Sequence, residues 1–522
     1  MHLPARQRGA ALLILLALVS IALTYAVVAG LNRNAGDIAR AREQKTYAAL
    51  AQAKEALIAY AVTYKDTHDV PGSSYTVPGF LPCPDTGSGI NKEGATELNC
   101  SSFLVSAIGR LPWKTLGLDA LRDGSGECLW YAVSGTYKYK PNGVLSNNTS
   151  SNNLMNWDTN GQFNIMEANG TTFLAGSADE TRADTRAVAV IFAPGPALSG
   201  QDRAPVAGAA NCGGNYNRAA YLEAANGINN SVLAAPSSPG SAIDVTNFIA
   251  ASGSDSFNDK LVYITRADIW NAIKKRSDFN NQLRALTRRA AECTAVYGSK
   301  NSAGTNDKRL PWAGNLSMSA LSYYAVDQRY RDVSGNLSGR LAYRVSRSDA
   351  DTNNTLSSNT DLGYTNILLF TPGSYCAYAP EEKIWYDNWK DHLFYAVANN
   401  FKPSASWWSS SSCPTCLNIN GTGNYAAVVM FAGEKLSGQN RNTLSDKSDI
   451  SNYLEGRNAG NHPNSGGNGD YEAADQSSSF NDIVYAIDPD LAIKCYNGSA
   501  IVSVPGAAAA PPGDPAAYAA CP

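Results

Sequence analysis

The stretch AVAVIFAPGPALSGQDR at residues 187–203 returns as AAVVMFAGEKLSGQNR at residues 426–441, in each case an apolar run followed by a polar turn. Further matches follow in the same order along the chain. They pair residues 129–134 with 393–398, 220–227 with 452–460, 256–265 with 479–488 and, more loosely, GRLPW at 109–113 with KRLPW at 308–312. Ordered self-similarity of this kind is the mark of an internal repeat. The sequence therefore predicts a tandem duplication.

A helix is predicted ahead of each copy. Within residues 265–297, an apolar stripe is formed by Ile269, Ile273, Leu283 and Leu286. Ahead of the first copy, the same kind of face is formed by Tyr47, Leu50, Ala51, Leu57, Ile58, Ala61 and Tyr64. Each unit thus consists of a helix, an LPC or LPW loop and a strand-rich body. We predict an α+β fold in which each helix packs on a mostly antiparallel sheet.

The repeat also sets the predicted boundaries, since 522 residues are too many for one hydrophobic core. The spacing after RLPW is longer in the second copy, which predicts an insertion at about 313–378. The predicted segments are a leader at 1–9, a long helix at 10–65, a first unit at 66–264, a second unit at 265–488 and an Ala/Pro-rich tail at 489–522.

The polar turn that ends the repeated strand contains Gln201 and Arg203 in the first copy and Gln439 and Arg441 in the second. Glycine and polar residues directly after a strand indicate a tight turn. In that interpretation the side chains tie the loop through hydrogen bonds to the backbone. The alternative is a ligand pocket present in both units.

The N-terminus shows a second pattern. Arg6 and Arg8 precede an uncharged apolar run from Ala10 to Leu31, close to the ~20 residues that cross a bilayer as a helix. Since positive residues stay on the cytoplasmic side, the run predicts a single-pass helix with a cytoplasmic N-terminus. Two alternatives stay open. Val27-Val28-Ala29 suits a signal peptidase, and the run also suits a plain signal anchor.

The segment Arg8-Gly9-Ala10-Ala11-Leu12-Leu13 resembles the class III signal of type IV pilins and type II secretion pseudopilins. The resemblance implies that a prepilin peptidase cuts between Gly9 and Ala10 and methylates Ala10. The family usually has Phe at the first mature position and Glu at the fifth. Ala10 and Ile14 stand there instead, so the chain is similar to the divergent minor subunits, such as the K-type pseudopilin, that sit at a filament tip.

The resemblance implies a function and a location. Each unit would be a pilin-like head, and the chain would be a minor pilin or pseudopilin that primes or caps a pilus or pseudopilus. Its N-terminal helix would contact other pilins and span the inner membrane, with the heads periplasmic and later on a filament or the cell surface. The alternative is a periplasmic binding or enzymatic module that keeps only a pilin-like anchor.

Composition and motifs exclude several classes of function. The formal net charge of −3 and the scattered Lys and Arg residues offer no basic surface, so a nucleic-acid partner is not expected. The chain has no nucleophile elbow, phosphate loop, dinucleotide fingerprint or HExxH motif. We therefore expect a protein that is not an enzyme.

Ten cysteines in a chain with an export-type N-terminus favour disulfides over metal ligation. The pairs nearest in sequence are Cys83 with Cys100 and Cys495 with Cys521. Cys413 and Cys416 form a third candidate pair in a CPTC motif, which lacks the strand-then-helix context of a redox thiol.

Calcium is the one cofactor that the sequence suggests. Asp349, Asp351 and Asn353 occupy positions one, three and five of an EF-like loop, without the Gly at six or the Glu at twelve. A weaker set is Asp85, Asn91 and Glu93. The structural alternative for both is an Asx-turn loop.

Overall fold

The computed structural model forms an α+β protein with two main sheets, each with a helix on one face. For residues 7–35 the helical backbone is described but not the side chains. The described residues are 7–70, 75–87, 93–96, 100, 104–138, 154–234, 244–300, 308–345, 366–367, 380–403, 413, 415–460, 469–504 and 521.

The first unit combines a long helix with a mainly antiparallel sheet of order β1-β2-β5-β9. Strand β3 joins the end of β5, pairs antiparallel with β4 and pairs parallel with β8. The elements are α1 (Gln7–His68), β1 (Ala107–Arg110), β2 (Trp130–Val133), β3 (Phe163–Glu167), β4 (Phe173–Ala175), β5 (Ala187–Ala193), β6 (Ala224–Ala225), β7 (Ile228–Asn229), β8 (Thr246–Ala250) and β9 (Lys260–Thr265).

The second unit has a sheet of order β10-β13-β16-β18-β19-β20, in which every pairing is antiparallel. Its elements are α2 (Arg266–Ile273), α3 (Ser277–Lys300), β10 (Ser338–Arg340), β11 (Arg344–Val345), β12 (Asn366–Ile367), α4 (Pro380–Trp389), β13 (Leu393–Val397), β14 (Leu417–Ile419), β15 (Thr422–Tyr425), β16 (Ala427–Phe431), α5 (Leu444–Lys447), α6 (Gly456–Gly460), β17 (Asp470–Tyr471), β18 (Ile483–Ile487), β19 (Ile493–Tyr496) and β20 (Ile501–Ser503).

The two units share their strand order and their register. Trp130 pairs with Phe192 across β2 and β5, and Phe394 pairs with Met430 across β13 and β16. The remaining strands agree as well, because β14 pairs antiparallel with β15 and parallel with β17, as β3 does with β4 and β8. The repeated motifs therefore occupy equivalent places in two similar units.

Helix α1 buries one face against the first sheet and α2. Leu50, Leu57 and Ala61 are fully buried on it, at helical spacing. Two residues of the predicted face point away: Tyr47 is 49 % exposed and Ala51 is also exposed. Ala49 and Ala53 are buried in their place, because the face that meets the sheet is rotated by part of a turn.

The helical segment between the copies is divided into α2 and α3. Thr265 and Asp268 form a reciprocal capping box that starts α2 directly after β9. All four residues of the predicted stripe are buried: Ile269, Ile273, Leu283 and Leu286. They join a core that continues from the first sheet into the second, so the two units pack as one apolar body.

The fifth sequence match, GRLPW with KRLPW, is wrong. Gly109–Leu111 corresponds in the fold to Gly339–Leu341, since Arg110 pairs with Trp130 and Arg340 pairs with Phe394 at the same register. The loop at 308–312 corresponds instead to the LPC loop. The Tyr131 hydroxyl donates to the Pro82 carbonyl at 3.2 Å, and the Tyr395 hydroxyl donates to Pro311 at 3.1 Å.

This correspondence relocates the extra chain of the second unit. Nearly equal lengths separate the end of α1 from β1 and the end of α3 from β10, whereas β10 and β13 lie much further apart than β1 and β2. The longer connection therefore follows β10 and includes α4. Strands β19 and β20 extend the second sheet into residues assigned to the tail.

The predicted transmembrane helix is contradicted. In the described part of the chain, no helix combines the length and the apolar character that crossing a bilayer requires. The described side chains at the start of α1 include Asp37, Arg40, Arg42, Glu43 and Lys45, all exposed, and such charges are costly in hydrocarbon. The predicted single-pass location in the inner membrane is overturned by the same finding. The side chains of residues 10–31, on which the prediction rested, lie outside the described set.

Candidate functional site

The repeated polar turn is built in the same way in both units. In the first, the Gln201 Oε1 accepts a hydrogen bond from the Leu198 amide at 2.9 Å, and its Nε2 donates to Glu223 at 2.7 Å. The glutamine thereby closes the turn and connects it to the following segment. The second unit repeats these bonds, at 2.7 and 3.0 Å, with Gln439, Leu436 and Glu455.

The arginine two residues later ties the turn to the sheet. Arg203 donates through Nη1 to the Gly195 carbonyl and through Nε to the Ala220 carbonyl, both at 2.8 Å. Its guanidinium carbon lies 4.5 Å from the centre of the Tyr221 ring, within cation–π range. Arg441 has the matching contacts, at 2.9, 2.5 and 4.4 Å, to Gly433, Asn452 and Tyr453.

A second arginine lies near the same tyrosine in each unit. The Arg340 guanidinium lies 4.7 Å from the Tyr453 ring and donates to three carbonyl oxygens. Arg110 lies 5.6 Å from Tyr221 and donates through Nη2 to two carbonyl oxygens. Both arginines are almost fully buried. The tyrosine ring is therefore flanked by two cations in both units.

Behind each glutamate lies a buried aspartate. The Glu223 amide donates to the Asp259 Oδ2 at 2.9 Å, and the Glu455 amide donates to the Asp482 Oδ2 at 3.1 Å. Burial, with the adjacent Glu carboxyl adding to it, raises the pKa of Asp259 and of Asp482 well above the usual range. Each unit thus holds a carboxyl pair that retains a proton at pH values where a free Asp is ionised.

The four residues singled out from the sequence, Gln201, Arg203, Gln439 and Arg441, therefore lie at two equivalent places and bind parts of their own chain. The sequence interpretation missed the tyrosines, glutamates and aspartates that complete these networks. A signal for them was present, because the repeated YLE and SFND motifs contain Tyr221, Glu223 and Asp259 and their counterparts.

A further polar cluster lies at the boundary between the units. We call Asp158, Asp391, His392, Arg441 and Lys447 the boundary cluster. Asp158 comes from the first unit and contacts the His392 Nε2 at 3.1 Å and the Arg441 Nη1 at 3.3 Å. Although burial raises the pKa of Asp158, the Arg441 charge and the His392 contact outweigh it and hold this pKa well below the usual range.

The boundary cluster has the donor types of a metal site, since ligand atoms of Asp158, Asp391 and His392 lie within 4.8 Å of one another. Its charges are already balanced, however. Lys447 pairs with Asp391 at 3.0 Å, and Arg441 pairs with Asp158. The His392 Nε2 accepts the Trp157 indole N–H at 2.8 Å. The arrangement fits a buried network of ion pairs and hydrogen bonds between the units better than a metal site.

The calcium candidates do not form a site in the described residues. Asp349, Asp351 and Asn353 lie outside the described part of the chain, as does Asn91. Asp85 accepts the amides of Gly87 and Gly94, and Glu93 accepts those of Asn211 and Cys212. Asp85 thus holds its own loop, and Glu93 connects its loop to the loop that contains Asn211.

The three cysteine pairs favoured by the sequence are disulfides: Cys83–Cys100, Cys413–Cys416 and Cys495–Cys521. A fourth disulfide joins Cys128 to Cys212, far apart in sequence, and Cys293 is also disulfide-bonded. The extensive cross-linking suits an oxidising compartment. Gly9 and Ala10 lie in the α1 backbone, among the positions without described side chains.

Comparison with known proteins returns no match: no family model, curated protein or solved structure is significantly similar to this chain.

Proposed function

We propose that the chain is a structural subunit of the type IV pilin and type II secretion pseudopilin class, in which two tandem heads prime or cap a filament. The main support is the exposed segment of α1 that precedes its packed face. The described side chains of residues 36–45 are all exposed, and the first buried side chain described on α1 is Thr46. At 1.5 Å per residue, this exposed segment extends roughly 15 Å.

The exposed part of α1 has the character of a contact surface. Ile38 is 54 % exposed, and Asp37 and Arg40 form an exposed ion pair beside it. An exposed helical segment with apolar and charged side chains gains stability by packing against helices of other subunits. Other pilins or pseudopilins are accordingly the proposed partners.

The repeated networks support a structural role. The Gln, Arg and Glu residues that recur in both copies of the repeat bind loops of their own unit. Arg441 also binds the other unit. Such contacts stabilise the heads. A duplicated head of this size suits a tip position better than a closely packed shaft.

N-terminal processing tests the proposal. We expect a prepilin peptidase to remove nine residues, so that sequencing of the mature chain begins at Ala10, with its amine methylated. Gly9→Val should retain the leader, whereas Gly30→Val, the matched control, should be processed normally. A mature chain that begins at Gly30 would contradict the proposal.

Position in the filament is a separate test. Quantitative mass spectrometry of sheared filaments should find far fewer copies of this chain than of the major subunit. A stoichiometry near one to one would exclude the tip role.

A further inference from the structure

A second buried charged cluster lies in the second unit, away from the repeated networks. Its members are Asp327, Lys383, Asp387 and Lys390, here called the lysine–aspartate cluster. The Lys390 Nζ lies 2.7 Å from the Asp327 Oδ1, and the Lys383 Nζ lies 2.9 Å from the Asp327 Oδ2. Lys383 also pairs with Asp387. One carboxylate is thus held between two ammonium groups.

The burial of this cluster is unusual for lysine. The side chain of Lys390 is 1 % exposed and that of Asp327 is 4 % exposed. Tyr343 and Tyr386 lie beside it, with the Lys383 Nζ 5.5 and 5.7 Å from their ring centres. Burying ion pairs costs desolvation free energy that their attraction often fails to recover. A covalent bond that removes both charges would eliminate that cost.

We infer that Lys390 and Asp327 form an intramolecular amide bond. The Lys390 Nζ, as the free amine, attacks the Asp327 carboxyl carbon, the Nζ–Cγ bond forms and the Cγ–Oδ1 bond breaks. The departing oxygen takes two protons, one from the acid form of Asp327 and one from the amine, and leaves as water. No oxidant, reductant or cofactor is needed, since the reaction is a condensation.

The geometry supplies what this reaction requires. Although burial raises the pKa of Asp327, the charges of Lys390 and Lys383 outweigh it and hold this pKa below the usual range, so the ion pair is the resting form. The reaction proceeds from the neutral pair that forms when a proton passes from the Lys390 Nζ to Asp327 along their direct hydrogen bond. In a buried setting both neutral forms avoid the desolvation penalty of the ions. Lys383 donates to the other Asp327 oxygen and stabilises the negative charge that develops there during attack.

The charges around Lys383 suit its role as the electrostatic partner. Burial raises the pKa of Asp387, and the nearby Asp327 carboxylate raises it further, to about 6. Burial of a lysine has the opposite effect and lowers the pKa of Lys383. The negative charges of Asp387 and Asp327 outweigh it and hold this pKa above the usual range. Lys383 therefore stays cationic as the electrostatic partner, while Lys390, which donates to Asp327 and to the Asp387 carbonyl, is placed as the nucleophile.

The bond would join the short 3-10 helix Asp327–Arg329 to the residue that follows α4. Of the two residues, only Lys390 lies in the longer connection that follows β10. The cross-link would anchor this connection to the segment before β10 without a disulfide, and it would persist under reducing conditions. This inference does not depend on the proposed filament role.

Peptide mapping of the full-length exported protein tests the bond. After reduction and trypsin digestion, the peptide that ends at Arg329 should appear joined to the peptide that contains Lys390, with a mass lower by one water than the sum of the two. Trypsin should not cut after Lys390. Separate recovery of the two unmodified peptides from most of the protein would overturn the inference.

The chain provides a matched control. Lys308 and Asp490 also lie 2.7 Å apart, but the Asp490 side chain is 79 % exposed, so this pair should remain unlinked. Lys390→Arg should abolish the linked peptide. Lys383→Arg keeps a positive charge beside Asp327 and should retain the link. A link that survives Lys390→Arg and disappears in Lys383→Arg would exclude Lys390 as the nucleophile. The wild-type map is decisive even if a variant does not fold.

Discussion

The two units use the same repeated arginine for different purposes. Arg203 pairs at 3.1 Å with Glu127 of its own unit, whose side chain is 28 % exposed. Arg441 pairs at 3.3 Å with Asp158 of the other unit, whose side chain is 3 % exposed. The shared scaffold holds the guanidinium in place by the same carbonyl oxygens in both units. Whether it closes a loop or joins two units depends on the partner carboxylate, which lies outside the repeat.

Removal of one disulfide from each unit should give the largest difference in stability between them. In the first unit, Cys128–Cys212 spans 84 residues, whereas Cys413–Cys416 in the second spans 3. Loop-closure entropy predicts that replacing the first pair with Ala lowers the free energy of unfolding by about 4 to 5 kcal/mol and the second by about 1 to 2 kcal/mol. Guanidinium unfolding of each double variant measures both. Equal losses would contradict the entropic account.

The arginine comparison should give the next largest difference. Arg441→Met leaves Asp158 buried without its main cation and should cost about 3 to 5 kcal/mol. Arg203→Met breaks a more exposed pair, so its loss should be smaller, since exposed pairs contribute about 0 to 1 kcal/mol in addition to the lost backbone bonds.

A double-mutant cycle isolates the pair that joins the units. Urea unfolding of Arg441→Met, Asp158→Asn and the combined variant should reveal coupling of about 1 to 3 kcal/mol. No coupling would show that Arg441 stabilises the fold through its carbonyl contacts alone.

The carboxyl pairs should give the smallest difference between the units, because the effect is expected to be the same in both. The raised pKa values of Asp259 and Asp482 mean that the folded chain binds more protons than the unfolded chain above pH ~4. Stability should therefore fall as pH rises from there, by up to about 1.4 kcal/mol per pH unit for each carboxyl.

Asn substitution tests this sign. Asp259→Asn and Asp482→Asn remove the titrating group and should flatten the pH dependence of the unfolding free energy by similar amounts. Unfolding followed by fluorescence from pH 5 to 8 measures the slope. A steeper dependence in either variant would contradict the proton-retaining pair.

The sequence predicted the repeated architecture because the longest matches fall on central strands. The apolar runs of β5 and β16 and the following Gln and Arg residues fill the same space in both units, so their identities recur. The short match at GRLPW failed, since Gly339–Leu341 shares its first three residues and the loop at 309–312 shares its last four. Only strand pairing distinguishes Gly339–Leu341 from residues 308–312.

The boundary cluster and the lysine–aspartate cluster could not be predicted in this way. Asp158 and His392 occur once, in segments without a counterpart, and meet across a large sequence separation. Hydropathy alone also predicted a bilayer crossing, which the described helices contradict. A periodic apolar pattern predicts which face of a single helix or strand is buried. These clusters depend instead on which elements pack together.

The loops beside β1 and β10 have a consequence for how the protein avoids unwanted association. Asp85 exchanges both backbone hydrogen bonds with Arg110, and the Gly314 amide donates to the Arg340 carbonyl. At Gly109 and Gly339 a Cβ would collide with the carbonyl oxygens of these loops. At Arg110 and Arg340 the edge of each sheet is thus already hydrogen-bonded to the chain's own loops, so less of its backbone is open to a strand from another molecule. These loops hinder association through this edge, and a Gly→Ala change at either position should expose it to strand-mediated aggregation.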